Sequence, residues 1–282
     1  MLTLQAPAKI NLTLEVLAKR RDGYHEVRSV IQTINLCDSL RFRQSQNIKF
    51  KSSTSDWTPE RSLISKAASL LKEDTGCSRG AIIEVDKHIP LMAGLGGDSS
   101  DAAAVLRGLN KLWGLGLSPE KLHDLAAQLG SDVPFFLHGG TALAKGRGEM
   151  LTPLPPLPRM WVVLVMPSVP RVPGKTERLY ASLKASHYTD GQFTERLTKE
   201  LRDNGEFTPS LLFNTFENIA FARSSEISVY RSHILKVGAA DVHLAGSGPA
   251  LFTLIKDKTL AEDLHLRLQQ QRLESYLIET LE

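Results

Sequence analysis

Apolar and polar residues alternate near the amino terminus of the chain. Between residues 8 and 15 every second side chain is apolar, which predicts a strand with one apolar face and one polar face. Asp22-Gly23 is typical of a hairpin turn, and the return strand is predicted from about residue 24 to 36. Shorter strands are expected at 40–42 and 48–51.

Apolar residues at intervals of three and four positions predict helices further along. The first helix is expected at 62–71 and the second at 99–113, and a strand at 81–85 separates them. A third helix has Ser118 as its N-cap and proline at its first position, and it is expected to end at Gly130.

The carboxyl-terminal half continues with strands and helices that do not alternate strictly. A buried strand is predicted at 161–166, one or two helices within 211–235, a strand pair within 242–255 and an amphipathic helix at 260–271. Strands that precede helices without strict alternation predict an α+β architecture in two domains.

The boundary between the two domains is predicted at a proline-rich segment. Residues 153–158 read Pro-Leu-Pro-Pro-Leu-Pro, and such a segment is stiff and cannot join a sheet ladder. An SH3-type ligand is the alternative interpretation, but six residues inside a folded chain are more typical of a connector. The sequence therefore predicts domains at 1–153 and 154–282.

Composition and charge exclude several classes of protein. The chain has 282 residues, 42% hydrophobic and 23% charged, which is typical of a soluble globular protein. A net charge of +3 is too small to favour nucleic acid as a partner. The longest apolar run, Trp161 to Met166, is too short to span a membrane. We expect a cytoplasmic protein without a signal peptide, in which Cys37 and Cys77 are reduced, buried thiols.

A glycine-rich loop precedes the second helix. Residues 90–101 read Pro-Leu-Met-Ala-Gly-Leu-Gly-Gly-Asp-Ser-Ser-Asp. A glycine loop that leads into a helix exposes backbone N–H groups at the positive end of the helix dipole, where phosphate binds. Ser99 and Ser100 add hydroxyls that can cap the helix, contact phosphate or hold Mg²⁺. The alternative is a flexible turn with a serine N-cap. The spacing matches neither the Walker A motif nor the dinucleotide-binding motif.

Two polar groups are candidates for acid–base and charge chemistry. Lys9 and Asn11 share the polar face of the first strand, which turns either to solvent or to a ligand. Asp132 lies two residues before a proline and ahead of an apolar run. It is either the N-cap of a short helix that ends at Gly139, or a carboxylate that can accept a proton from an alcohol.

Two further turns have both a structural and a functional interpretation. Gly246-Ser247-Gly248-Pro249 is either a β-turn between strands or a second backbone nest beside a phosphate. Tyr24 and His25 follow the predicted hairpin turn. His25 is either an ordinary surface histidine or, with Tyr24, holds a flat ring by stacking and hydrogen bonding.

Six stretches of the sequence together resemble the kinase superfamily of galactokinase, homoserine kinase, mevalonate kinase and phosphomevalonate kinase. They occur in the order found in that superfamily and extend over nearly the whole chain: 6–12, 21–25, 90–103, 130–136, 214–217 and 245–249. The glycine loop and the Gly-Ser-Gly-Pro turn are shared across the superfamily. The stretches Pro-Ala-Lys-Ile-Asn-Leu, Asp-Gly-Tyr-His and Ser-Asp-Val-Pro-Phe-Phe are most similar to the kinases that act on 4-diphosphocytidyl-2-C-methyl-D-erythritol.

The resemblance implies a fold and a reaction. The fold has an amino-terminal ATP-binding domain and a ferredoxin-like carboxyl-terminal α/β domain, with the active site in the cleft between them. The reaction is the ATP-dependent phosphorylation of the 2-hydroxyl of 4-diphosphocytidyl-2-C-methyl-D-erythritol in non-mevalonate isoprenoid precursor biosynthesis. ATP and Mg²⁺ are the implied cofactors, and the protein is expected to be a monomer or a weak homodimer.

The resemblance also implies roles for individual residues. Lys9 and Asp132 match the catalytic pair, with the aspartate as base and the lysine as its charge partner. Asn11, Tyr24, His25, Thr176 and Tyr180 match substrate-binding positions, where His25 reads the cytosine edge and the two tyrosines cover its faces. The ATP-binding positions are Leu63, Lys87, Pro90, Leu91, Met92, Ala93, Gly94, Leu95, Gly96, Gly97, Asp98, Ser99, Ser100, Gly246, Ser247 and Gly248. Ser62, Leu63 and Lys87 fall where the family lines the adenine pocket.

Three positions depart from the family pattern. Asp98 replaces a small residue, so it either points outward, helps to hold Mg²⁺ or weakens ATP binding through repulsion. Ala245 stands where serine is common, and Val172-Pro173-Gly174 differs from the usual approach to Thr176. Two other hypotheses stay open: a kinase for another small alcohol such as mevalonate or homoserine, and a catalytically weakened nucleotide-binding or regulatory protein.

Overall fold

The fold divides into two compact units. The computed structural model describes residues 1–52, 54, 57–59, 62–170 and 174–282, and the backbone alone of Arg223. Val172 and Pro173 lie outside the described residues. The first unit contains residues 1–8, 36–91 and 96–139, and the second contains 9–35, 92–95 and 140–282.

A long hairpin contributes strands to both units. Strand β1 spans Leu2–Lys19 and β2 spans His25–Ser45. The predicted turn closes the hairpin, where the Arg20 N–H donates to the Tyr24 carbonyl over 2.8 Å. The strand predicted at 40–42 is not separate but belongs to β2. The apolar pattern breaks at Asp38, which is buried like its apolar neighbours. For this reason the pattern predicted two strands where the structure has one.

The first unit packs four helices and two further strands around one core. Strand β3 (Lys49–Ser52) pairs in parallel with β4 (Gly80–Asp86), and β4 pairs antiparallel with the end of β2. Helices α1, α2, α3 and α4 span Leu63–Thr75, Gly97–Trp113, Pro119–Leu129 and Phe135–His138. Helix α1 packs on α2, and fully buried side chains of both helices and of the strands fill the core: Phe42, Ile64, Ile83 and Trp113.

Two predicted helix starts in this unit are wrong. Helix α2 begins at Gly97 rather than Ser99, and Gly96 occupies its N-cap position without a side-chain hydrogen bond. Helix α4 has Pro134 in its N-cap position, so Asp132 is not the N-cap and lies in the turn before it. The predicted helix ends at Gly114, Gly130 and Gly139 are confirmed.

The second unit contains strands of two sheets. Strand β5 (Thr141–Lys145) pairs antiparallel with the first half of β2, and β6 (Met150–Pro153) pairs with β5. Neither was predicted, because strands of five and four residues are too short to show a period. Strand β7 (Trp161–Met166) is the predicted buried strand.

The two-residue strand β8 (Phe213–Asn214) runs parallel to β1. In the other sheet the order is β11-β7-β10-β9, with β9 at His243–Leu244, β10 at Leu251–Ile255 and β11 at Glu274–Glu279. The predicted strand pair around the Gly-Ser-Gly-Pro turn is therefore confirmed as β9 and β10.

Five helices belong to the second unit. Helices α5 to α9 span Lys175–Ala181, Gln192–Arg202, Glu217–Arg223, Ser225–Val237 and Lys258–Gln270. The helical stretch predicted within 211–235 is two helices, α7 and α8. Helix α6 was not predicted because threonines make up half of its buried residues, which weakens the apolar period.

The predicted α+β class is confirmed, with two sheets and helices in both units. Strand β6 ends at Pro153, the first residue of the proline-rich segment, and Pro153 pairs with Ala142 of β5. The expectation that this segment stays out of the sheet is therefore wrong at its first residue, and the domain boundary there stays a prediction. Among the described residues, no helix combines the length and apolar character that crossing a bilayer requires. Cys37 and Cys77 are free thiols as predicted, but both are half-buried rather than buried.

Candidate active site

The polar face of β1 is buried rather than solvated. Lys9 and Asn11 are 5% and 6% exposed. The Lys9 Nζ donates to Asn11 Oδ1 over 2.6 Å, and Asn11 Nδ2 donates to Ser29 Oγ over 2.8 Å. Ser29 Oγ in turn donates to the Thr13 carbonyl over 2.5 Å. This chain of bonds fixes the Lys9 ammonium, and the interpretation of a solvated sheet face is wrong.

Residues 92–95 of the glycine loop lie against both β1 and the Gly-Ser-Gly-Pro turn. The Lys9 N–H donates to the Leu95 carbonyl over 2.9 Å, and the Ala250 N–H donates to the Ala93 carbonyl over 3.2 Å. A Cβ on Gly94 would lie 2.1 Å from the Ala245 carbonyl oxygen, and Gly94 has a φ of +86°. Only glycine fits here, because both the close approach and the backbone angle exclude a side chain.

The turn at 246–249 lies beside the Lys9–Asn11 pair. A Cβ on Gly246 would lie 2.8 Å from the Gly94 carbonyl oxygen, 3.2 Å from Lys9 Nζ and 3.4 Å from Asn11 Oδ1. Gly246 has a φ of +55°, so its backbone also favours glycine. Three motifs that are distant in sequence therefore meet in the second unit: the β1 polar face, the glycine loop and this turn.

Helix α5 supplies two more side chains to this turn. The Thr176 and Ser247 hydroxyls are 2.8 Å apart and hydrogen-bonded. The Lys175 ammonium donates to the Gly248 carbonyl, and burial lowers the pKa of Lys175 to about 8. Thr176 was among the predicted site residues. Lys175 was missed, since a single lysine at the start of a helix has no distinctive sequence signal.

Residues of the stretch 214–217 hold the strand that leads into the turn. Asn214 Nδ2 donates to the carbonyls of Leu244 and Gly246 over 2.9 and 2.8 Å, and its Oδ1 accepts from the Phe216 N–H. Glu217 Oε1 accepts from the Leu244 N–H over 2.9 Å. Both backbone groups of Leu244 are thus fixed by this stretch, which the sequence assigned no role.

An aromatic group surrounds His25. The His25 ring stacks on Tyr180 with centroids 5.1 Å apart, and Tyr188 meets it edge-on at 6.1 Å. Burial lowers the pKa of His25, with a smaller contribution from Lys19, which favours the neutral imidazole. Tyr24 is 55% exposed, and the Arg147 guanidinium lies 4.9 Å from its ring centroid. Tyr188 and Arg147 were both missed by the sequence patterns.

In the first unit, the first turn of α2 presents backbone donors. Because Gly96 provides no side-chain cap, the N–H groups of the first turn lack the partner that a capping residue supplies. Ser100 follows in that turn, and its hydroxyl is buried without a hydrogen-bond partner among the described residues. Free donors at the positive end of a 17-residue helix form an anion-binding position.

Lys87 is part of a buried ion triad rather than an exposed binding group. Its Nζ lies 2.5 Å from Asp38 Oδ2 and 2.7 Å from Asp101 Oδ2, and the three side chains are between 0% and 3% exposed. Asp38 Oδ1 also accepts from the N–H groups of His88 and Ile89. Burial raises the pKa of Asp101 to about 8, against the opposing effect of Lys87.

Asp98 lies in the first turn of α2, three residues before Asp101. It is exposed, and its Oδ1 accepts a hydrogen bond from the Trp57 indole over 3.3 Å. The Lys87 ammonium lies 5.3 Å from the centroid of the Trp57 ring. The carboxylate is thus engaged with an aromatic side chain at the surface of the unit, which agrees with the expectation that it points outward.

Comparison with known proteins decides the family. Models for the GHMP kinases N terminal domain and the GHMP kinases C terminal domain match residues 62–140 and 194–274. A Dehalococcoides mccartyi protein named 4-diphosphocytidyl-2-C-methyl-D-erythritol kinase is 50% identical over 281 residues, covering 100% of this chain and 99% of its own length. The chain belongs to this kinase family. A 4-diphosphocytidyl-2-C-methyl-D-erythritol kinase of Enterococcus faecalis is 39% identical over 98% of both chains.

A solved structure supports the same membership. A crystal structure of a 4-(cytidine 5'-diphospho)-2C-methyl-D-erythritol kinase superposes with a TM-score of 0.83 at 33% identity, covering 99% of each chain. The fold expected from the resemblance is therefore confirmed for this member of the kinase family. The roles of individual residues within it stay predictions.

The residues that match the kinase pattern lie in both units, and in the second unit the aromatic group at His25 is one of two groups. In the second unit the structure brings together nine predicted residues: Lys9, Asn11, Ala93, Gly94, Leu95, Thr176, Gly246, Ser247 and Gly248. Leu63 begins α1 in the first unit, where Lys87 and residues 96–100 also lie. Asp132 is half-buried in the turn before α4, in the same unit. Met92 is 47% exposed, and Pro90 and Leu91 are half-buried.

The Asn214 amide gives a first testable prediction. Asn214→Asp is expected to lower the free energy of unfolding by about 1–3 kcal/mol, because an oxygen replaces the nitrogen that donates to two buried carbonyls. It is also expected to lower kinase activity, because the turn beside Lys9 loses its support. Denaturant unfolding and steady-state kinetics measure the two effects.

Asn110→Asp is the matched control. Asn110 binds both backbone groups of Leu117 over 3.1 and 3.3 Å, so it holds a loop of the first unit in the same way. We expect this control to lose stability while its kcat and KM stay at wild-type values. Wild-type kinetics in Asn214→Asp would show that the turn does not need the asparagine.

Proposed function

We propose that this protein transfers the γ-phosphoryl group of ATP to the 2-hydroxyl of 4-diphosphocytidyl-2-C-methyl-D-erythritol. The observation that carries the proposal is the buried Lys9–Asn11 pair beside two glycine turns. An ammonium fixed by a short hydrogen bond, next to backbone without side chains, is suited to the charge of a phosphoryl group. The names of the full-length relatives support the choice of substrate.

The glycine loop and the start of α2 fit a triphosphate. The glycines leave room for phosphate oxygens close to the backbone, and the uncapped first turn of α2 offers N–H donors. Phosphoryl transfer depends mostly on positioning and electrostatic stabilisation rather than on covalent chemistry by the protein. Rigid backbone donors therefore supply much of what the reaction requires.

The donor set also fits Mg²⁺ bound largely through the nucleotide. Within the described ranges, His, Cys, Asp and Glu side chains form no group of three that could hold a metal ion. Magnesium in kinases is held by one or two protein groups together with phosphate oxygens. The Ser99 and Ser100 hydroxyls would hold it, and the buried Ser100 oxygen has no other partner in the part of the chain described. When bound, Mg²⁺ neutralises charge on the phosphates.

Asp132 and Lys9 are assigned to the transfer step. An alcohol is a weak nucleophile at neutral pH, and Asp132 accepts the proton of the 2-hydroxyl as its oxygen attacks phosphorus. The bond between the γ-phosphorus and the bridging oxygen breaks, and ADP leaves. The Lys9 ammonium offsets the negative charge carried by the transferring group. Asn11 keeps that ammonium in place through its 2.6 Å hydrogen bond.

The aromatic group at His25 is assigned to the cytosine base. A neutral imidazole has one N–H donor and one acceptor nitrogen, and the cytosine edge also carries both kinds of group. The stacked Tyr180 fixes the imidazole plane, and the exposed Tyr24 offers a flat face to the base. A kinase for mevalonate or homoserine would have no base to bind with these residues.

The test is ADP release from the purified protein with Mg-ATP. 4-Diphosphocytidyl-2-C-methyl-D-erythritol, mevalonate and homoserine are supplied in parallel. We expect turnover with the cytidyl compound alone. Turnover with mevalonate or homoserine instead would refute the substrate assignment. Binding of an ATP analogue without turnover of any of the three would favour a regulatory nucleotide-binding protein.

A further inference from the structure

Lys175 is a half-buried cation in the second unit for which the sequence predicted no role. Its ammonium donates to the Gly248 carbonyl. Burial is the cause of the depressed pKa of Lys175. In the described part of the chain, Lys175 forms no ion pair. Lysines that lose water usually gain a carboxylate partner, so this one is an exception.

Within the described ranges, Lys175 uses one hydrogen-bond donor. An ammonium has three N–H donors, and the Gly248 carbonyl accepts from one of them. Removing a charge from water without pairing it costs free energy. A ligand that brings negative oxygens to this ammonium would offset that cost and would use the remaining donors.

The surroundings of Lys175 point to the chemistry of such a ligand. Lys9 Nζ lies 3.2 Å from the position that a Cβ on Gly246 would take. Two ammonium groups therefore approach one glycine turn, at Gly246 and at Gly248. The hydrogen-bonded hydroxyls of Thr176 and Ser247 lie on the same turn. Two cations, two hydroxyls and glycine backbone form a set of groups that binds phosphoryl oxygens.

The charged residues that follow Lys175 on α5 do not neutralise it. Glu177 is acidic and Arg178 is basic, and both are exposed. The turn from Gly246 to Pro249 contains no titratable side chain. Tyr180, one turn further along α5, stacks on His25, which burial favours in its neutral form. Nothing else described on these elements supplies the negative charge that a buried lysine normally contacts.

We propose that the Lys175 ammonium binds a phosphoryl oxygen of the ligand that lies on the Gly246–Pro249 turn. The inference rests on the proposed function and adds a residue to that same site. Both substrates of the proposed reaction carry phosphoryl groups, the triphosphate of ATP and the diphosphate of the cytidyl compound. Binding measurements with each one separately distinguish the two sources.

The experiment compares Lys175→Met, which keeps the apolar stem, with Lys175→Arg, which keeps the charge. Lys236→Met is the control, since Lys236 is an exposed lysine in the last turn of α8, also in the second unit. Calorimetry at pH 7 measures the Kd of a non-hydrolysable ATP analogue and of 4-diphosphocytidyl-2-C-methyl-D-erythritol. We expect Lys175→Met to weaken one of the two by about 10- to 100-fold, the range of a charge-assisted hydrogen bond. For Lys175→Arg and the control, both Kd values are expected to stay within about threefold of wild type, a smaller change than the loss of one charge-assisted hydrogen bond would cause.

The thermal stability of the ligand-free protein separates binding from a structural role. Because the pKa of Lys175 is about 8 in the folded protein, against 10.5 ordinarily, the folded state holds its proton less tightly than the unfolded state. This cost is fully present below pH 8 and disappears as the pH rises towards 10.5. Lys175→Met is therefore expected to raise Tm at pH 7. A lysine that only braced the turn would give a lower Tm on removal.

The pH dependence of binding gives a third readout. In the wild type the Kd of the affected ligand should rise as the pH passes through about 8, because the ammonium loses its proton. Lys175→Arg, which stays charged, should show a flatter profile. Equal binding of both ligands by the wild type and Lys175→Met would overturn the role of Lys175 alone. Failure of the wild type to bind either ligand would overturn the proposed function together with it.

Discussion

Replacing Asp132 with asparagine is expected to lower kcat by about 10²- to 10⁴-fold, the contribution typical of a general base. The asparagine has the same shape, but its amide cannot take the proton of the attacking hydroxyl. The KM values should change little, since the loss falls on the chemical step. Steady-state ADP release with the cytidyl substrate measures both parameters.

Asp124→Asn provides the control for this substitution. Asp124 lies exposed on α3 in the same unit, so the control makes the same chemical change away from the turn that carries Asp132. It should retain wild-type kcat. A wild-type kcat in Asp132→Asn as well would refute the assignment of Asp132 as general base. The rate of phosphoryl transfer would then depend on positioning of the substrates. Lys9→Met tests the other member of the pair and should also lower kcat more than it raises KM.

The regular elements of this fold follow closely from sequence periodicity. The alternation from Ala8 to Glu15 and the Asp22-Gly23 turn predicted the β1–β2 hairpin, and Ser118, Pro119 and Gly130 marked both ends of α3. These signals are local, because a strand face or a helix cap depends on residues a few positions apart. The prediction was wrong where a buried charge took an apolar position, as Asp38 does within β2.

The site was predictable as separate motifs but not as contacts. The glycines of the loop and of the turn were recognisable individually, while the contact between Gly94 and Ala245 joins residues 151 positions apart in sequence. The expectation that Lys87 lines the adenine pocket did not anticipate that it pairs with two buried acids, since Asp38 and Asp101 come from distant elements. Lys175 was missed for a related reason: the turn that its ammonium contacts lies 71 or more positions further along the chain.

The buried triad of Lys87, Asp38 and Asp101 should make the stability of the first unit sensitive to the loss of one partner. It joins β2, the segment before the glycine loop and the first turns of α2, through bonds of 2.5 and 2.7 Å. Because the three side chains are almost fully buried, the negative charge on the two acids depends on Lys87 for compensation. The same distances on the surface would contribute little, since water screens exposed pairs.

Lys87→Met is therefore expected to lower the free energy of unfolding by about 3–5 kcal/mol, the usual cost of leaving a buried charge without its partner. Lys121→Met is the matched control, because Lys121 forms an ion pair with Asp74 at the same 2.5 Å while remaining 43% exposed. The control should lose less than about 1 kcal/mol. Urea unfolding at pH 7 measures both. Equal losses would mean that the triad is not electrostatically important.

The pH dependence of the Lys87→Met loss follows from the same charges. Burial raises the pKa of Asp101 from 3.8 to about 8, so its contribution to stability is present at low pH and is lost as the pH rises towards 8. Without the ammonium, the pKa of Asp101 rises further, and protonation removes its unpaired charge. The difference in unfolding free energy between wild type and Lys87→Met should therefore shrink as the pH falls from about 9 to 7. A difference that stays constant over this range would indicate lost packing by the lysine stem rather than lost charge.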